Sequence, residues 1–196
     1  MKRILIGGSI AILLLFFLGC GQSGAGSAME PETKKEVIFY PISDYIRGQI
    51  QYVDTSLLAV IHYTTMNGKT DSSVMEKSEF KKIAAEFLEP NLNDPLIKPK
   101  YEENSFIDAN IGTITLTYST NDEKAPLWKA TVLLRQEDTK PIYIYLEKQL
   151  LSPDSSVLKK MIWKTDSNCQ IVSIIRKPNQ AERIIEDKYV WDNTVP

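Results

Sequence analysis

The chain reads as an α+β domain: an antiparallel β-meander sheet of about six to eight strands covered by two helices. Three observations predict it. From residue 106 onward, apolar residues alternate with polar ones in short runs separated by turn-forming clusters, the pattern of antiparallel strands with one face on a core. Two earlier stretches, 42–53 and 80–88, repeat their apolar residues at helical spacing. A sheet with one apolar face and two helices with one apolar stripe each need a cover, and each supplies the other's.

The first helix opens at Pro41, which is pre-shaped for a first helical position, and carries its stripe on Ile42, Tyr45, Ile46, Gln49, Ile50 and Val53. Ser56–Thr65 is rich in β-branched and aromatic residues and ends in Met66-Asn67-Gly68-Lys69. Asn-Gly between strand-like runs is a strong hairpin signal, because both turn positions favour φ > 0. The returning arm, Thr70–Val74, is polar and reads as an edge strand. Ser78 is the expected cap of the second helix, with Glu79 in its first turn. Phe80, Ile83, Ala84, Phe87 and Leu88 form its stripe, and Pro90 ends it.

Residues Pro90–Glu103 fit no period and contain Pro90, Pro95 and Pro99. Such a stretch is either a binding loop or a strap across one end of the sheet. Beyond it, Ile114, Leu116 and Tyr118 form one strand row; Trp128, Ala130, Val132 and Leu134 form a second; Ile142, Ile144 and Leu146 form a third. Strands then follow at 158–164, 170–176 and 183–191. The second helical stripe is expected to pack on Ile114/Leu116 and Val132/Leu134. Tyr143 and Tyr145 put apolar bulk on the other face of the third strand. They imply either a cover on that side or a cavity.

At the N-terminus, Lys2 and Arg3 precede an uncharged apolar run, Ile4–Leu18, which ends at Gly19-Cys20. A basic segment, an apolar segment and a small residue before a cut site make a secretory signal peptide. Ile4–Gly19 has 16 residues, short of the roughly 20 needed to span a bilayer. Phe17-Leu18-Gly19-Cys20 resembles the lipobox of bacterial lipoproteins, with Phe17 where that family favours Leu. The resemblance covers residues 1–20 and implies that Cys20 is acylated and becomes the first mature residue. Gly21 following Cys20, rather than Asp, implies by the same resemblance the outer membrane, with the first acid, Glu30, late enough to favour its periplasmic face.

The chain thus divides into a lipoprotein signal peptide (1–19), a flexible tether (20–36) and one α+β globular domain (37–196). The tether's Gly, Ser and charged residues match a solvated linker, and about 15 residues of coil reach about 20 Å. The globular part resembles small uncharacterised lipoproteins of Bacteroidota in length and layout, which implies no activity.

Composition narrows the partners. Lys and Arg number 23 against 25 Asp and Glu, and losing Lys2 and Arg3 with the signal peptide leaves 21 against 25. No basic stripe exists to displace phosphate counterions, so no nucleic-acid partner is expected. With Cys20 acylated, Cys169 has no partner and reads as a small buried hydrophobe. The lone histidine, His62, lies in a strand and reads as structural. No Cys/His cluster spells a metal site, and no nucleophile elbow, zinc-protease helix, dinucleotide fingerprint or P-loop is present. The pairs Glu102-Glu103 and Asp122-Glu123 fall in polar segments and read as solvated.

No catalytic residues, cofactor or metal are therefore expected, and Cys20 is the one assigned site, a lipid attachment. The leading expectation is a membrane-anchored, non-catalytic interaction or accessory module of the cell envelope, with a possible envelope protein partner. The alternatives are a carrier of an apolar, lipid-like ligand and a hydrolase with an unrecognised site.

Overall fold

The computed structural model describes residues 38–192 and Thr194. The signal peptide, Cys20 and the tether lie outside the described residues. Val37–Pro196 form one compact unit that holds the hydrophobic core of the described residues.

That unit is an α+β domain. Helix α1 (Ile42–Thr55) precedes the hairpin β1 (Val60–Met66) and β2 (Lys69–Met75). Helix α2 (Lys77–Ala84) follows and tightens into a 3₁₀ turn, Ala85–Leu88. A strap then leads to seven strands in succession: β3 (Glu102–Asp108), β4 (Thr113–Ser119), β5 (Leu127–Arg135), β6 (Pro141–Ser152), β7 (Ser155–Lys164), β8 (Asn168–Arg176) and β9 (Arg183–Val190). Among the described residues there are nine strands, and they form one antiparallel sheet in the order β2-β1-β9-β8-β7-β6-β5-β4-β3. Nine exceeds the expected six to eight. The meander is thus extended by the first hairpin, whose β1 pairs with the last strand.

The local signals explain most boundaries. Asn67 and Gly68 take φ of 52° and 76°, the two left-handed positions that the hairpin turn requires. Pro41 sits one position before α1, where its carbonyl accepts the Tyr45 N–H at 3.0 Å. Ser78 is not the cap of α2. The Glu76 carbonyl accepts the N–H groups of Glu79 and Phe80, so the helix starts at Lys77 and Ser78 lies inside its first turn. In β5 a register shift between Leu127 and Lys129 breaks the expected row. Leu127, 1% exposed, takes the inward place that alternation assigns to Trp128.

One row of paired residues crosses most of the sheet: Leu116, Val132, Ile144, Trp163, Cys169, Tyr189 and His62. Phe80 packs against Trp163, Tyr189 and Trp191, and Phe87 against Trp163. These are not the expected Ile114/Leu116 and Val132/Leu134 rows. The reason is reach. Helix α2 starts two residues after β2 ends, and eight helical residues plus a 3₁₀ turn extend about 20 Å. Strands are about 4.8 Å apart, so α2 covers the β9–β7 region, while β4 lies seven positions from β2. The β4 end is covered instead by the start of the domain: Phe39 lies 4.7 Å from Tyr118 between ring centroids, and the Tyr40 N–H donates to Tyr118 Oη at 2.9 Å.

Helix α1 buries Ile42, Ile46, Ile50 and Val53. It is tied to the 3₁₀ turn by Ser43 Oγ donating to the Leu88 carbonyl at 2.7 Å, and to the β7–β8 turn by Gln49 and Asp166. The Pro90–Glu103 segment serves as a strap. Leu92 is buried, Asn93 Nδ2 donates to the Phe39 carbonyl, Tyr101 Oη donates to the Leu127 carbonyl, and Glu102 and Glu103 already belong to β3.

Candidate functional site

Both helices are committed to one face of the sheet, and no helix among the described residues covers the other. Tyr143 and Tyr145, expected under a cover or in a cavity, stand on this open face instead. Short connections hold each helix to the opposite side, and a tyrosine tolerates exposure because its hydroxyl stays in water.

Register places the face's groups. Tyr145 is opposite Thr131 on one side and Ile162 on the other, and Tyr143 is opposite Leu133 and Lys164. Lys129, Thr131, Tyr143, Tyr145 and Ile162 line a shallow groove of about 370 Å³. Tyr145 Oη donates to Glu147 Oε2 at 3.1 Å. Burial, reinforced by that carboxylate, pushes the Tyr145 phenol up to about 12, so it remains a neutral donor. Thr131 Oγ1 is buried beneath the tyrosines with no hydrogen-bond partner. A second, more polar groove of about 510 Å³ lies toward β1 and β9, between Tyr63, Lys164, Glu186 and Lys188. Glu186 accepts from Gln170 Nε2 at 2.7 Å.

On the helix-bearing face, His62 stacks on Tyr189 with centroids 4.6 Å apart at 10°. Its Nε2 is 2.9 Å from Asp187 Oδ1 and 3.0 Å from Thr64 Oγ1, and Thr64 donates to the same Asp187 oxygen at 2.9 Å. An acid–base relay needs the carboxylate on one ring nitrogen and the nucleophile on the other. Here both partners converge on Nε2, so the geometry locks the ring rather than activating Thr64. Sequence reading missed Asp187 because 125 residues separate it from His62, and only the β1–β9 pairing joins them.

Lys148 is the other unexpected group. It is 9% exposed, and its Nζ donates to the Glu86 and Glu89 carbonyls at the end of the 3₁₀ turn. Burial lowers it to about 8, against the upward pull of Glu86 and Glu89. Beside it Pro90, Pro126 and Leu150 line an apolar groove of about 350 Å³. Lys159, which also borders it, pairs with Glu86.

Cys169 is fully buried and free, and burial pushes its thiol well up. Glu102, Glu103, Asp122 and Glu123 are exposed, as expected of solvated pairs. Among the described residues no group of three His, Cys, Asp or Glu side chains is placed to hold a metal ion, and no helix is long and apolar enough to cross a membrane. No family model, curated protein or solved structure matches the chain.

Proposed function

We propose that this chain is a lipid-anchored lipoprotein of the cell envelope, held at a membrane through Cys20, and that it works as a non-catalytic interaction module. The uncovered sheet face is its contact surface. One observation carries this reading: Tyr63, Phe106, Tyr143 and Ile162 are all more than a third exposed on a face without a covering layer. Large apolar groups gathered on one face of a folded domain mark an interaction surface.

The alternative, a carrier of an apolar ligand, rests on the groove between Pro90, Pro126 and Leu150. The interaction reading is favoured because Phe80, Phe87, Met161 and Trp163, each 0–1% exposed, fill the space between helices and sheet.

Two measurements test the proposal in cells. Cys20→Ala should move the protein out of the membrane fraction; if that variant is processed normally and stays membrane-bound, the anchor reading fails. A photo-crosslinking residue at position 143 should give a discrete adduct, and one at exposed Arg47 on α1 should not. Equal labelling at both, or no adduct to protein or lipid at either, overturns the contact surface.

A further inference from the structure

The open face carries a charge balance unlike that of the whole chain. On β5–β9, Lys129, Lys160, Lys164 and Lys188 point to this face, and none of them takes part in an ion pair among the described residues. Three carboxylates accompany them: Glu147 and Glu186, which accept from the neutral neighbours Tyr145 and Gln170, and Asp192, which lines the groove with Lys164 and Lys188 and accepts from Thr194. Arg135 and Arg176 stand at the rim and are neutralised by the loop acids Asp138 and Glu182. Glu102 and Asp108 lie away from this cluster on the far edge strand, β3. Four lysines against Glu147, Glu186 and Asp192 leave this region at +1, within a chain whose formal charge is −2.

The lysines surround the aromatic groups. Lys160 and Lys164 flank Ile162 on β7, Lys164 is paired with Tyr143, Lys129 lies beside Thr131 in the tyrosine groove, and Lys188 is paired with Tyr63. Tyrosine is the side chain suited to the depth of lipid headgroups, with its ring in the apolar layer and its hydroxyl in water. Lysine lays its stem along apolar surface and raises its ammonium toward phosphate.

We propose that the occupant of the open face is an anionic bilayer surface: Tyr63, Tyr143, Tyr145 and Ile162 seat at headgroup level while Lys129, Lys160, Lys164 and Lys188 meet lipid phosphates. This rests on the reading of the open face as contact surface, and it names that surface's partner. It does not require the anchor, because the four lysines and the aromatic cluster lie within the compact unit.

The test uses the compact unit from Val37 to Pro196, which contains the core formed by the described residues, and vesicles of phosphatidylcholine alone or mixed with phosphatidylglycerol. Co-sedimentation with the mixed vesicles only, weakening as salt rises, is expected. Lys129→Gln, Lys160→Gln, Lys164→Gln and Lys188→Gln should each weaken binding about fivefold. Ile162→Asn should weaken it while leaving the salt dependence unchanged. Lys81→Gln and Lys82→Gln, on α2, serve as controls. Binding that ignores lipid charge, or that falls equally with the α2 substitutions, overturns the proposal. Absence of vesicle binding also overturns it. In that case a position-143 adduct with a protein in cells preserves the contact-surface reading, and no adduct removes both.

Discussion

Phe87 sets its ring edge-on to Trp163, with centroids 5.1 Å apart and planes at 83°. Both side chains are at most 1% exposed. This pair joins the 3₁₀ turn after α2 to the middle of the sheet, so it reports directly on whether the helical layer is docked. Phe87→Ala should cost about 3–5 kcal/mol, the usual range for emptying a buried phenylalanine site. Lys82→Ala, exposed on the far side of the same helix, should stay within about 0.5 kcal/mol. Urea melts of the two variants check the difference, and similar losses would mean that the layer is not docked as described.

Gly68 and Gly48 should respond oppositely to the same change. Gly68 has φ of +76° and nothing within 4 Å of an added Cβ, so Gly68→Ala meets backbone strain alone. A loss of about 1–2 kcal/mol is expected. Gly48 lies on the exposed side of α1, also with open space around it. Gly48→Ala should gain up to about 1 kcal/mol from helix propensity. A stabilised Gly68→Ala variant would contradict the hairpin turn.

Lys148 should make stability rise with pH in the alkaline range. Its folded value is about 8, against 10.5 for the free side chain. Below pH 8 both states hold the proton and the cost of burying the ammonium is fully present. Between pH 8 and 10.5 the unfolded chain keeps a proton that the folded chain has released, which favours the folded state as pH climbs. Urea midpoints of the native chain should therefore increase relative to Lys148→Met across that window. Parallel curves would show that the ammonium is not held in this buried place.

Cys169 should behave as core rather than as a reagent. It is fully buried with its thiol pushed up, so an aromatic disulfide reagent should label it only as the domain unfolds, at a rate that increases with urea. Fast labelling without denaturant would refute its burial. The lone spare cysteine would then be a reactive site.

Much of the architecture was legible in the sequence because its signals are local. Helical period at Phe80, Ala84 and Phe87, alternation at Val132 and Leu134, and Asn67-Gly68 at the hairpin each act over a few residues. The extension of β6 to Ser152 was not legible. Residues 147–152 mix charged, polar and apolar groups without alternation, and they are strand because β7 supplies backbone partners through Ser152–Ser155.

What the sequence by itself determined is the set of elements, their order and which residues of each are apolar. The N-terminal segment that motivates the anchor belongs to the same kind of information, since charge, length and a cysteine are read along the chain. The tertiary structure alone decided that β1 closes on β9, that α2 therefore lies over Trp163 and Tyr189, and that His62 meets Asp187. It also decided that Tyr143 and Tyr145 face outward uncovered. The β1–β9 closure and the His62–Asp187 contact join residues more than a hundred positions apart. All of these outcomes depend on how far each short connection reaches and on which covering arrangement buries the most apolar surface. Neither quantity is written in any local stretch of sequence.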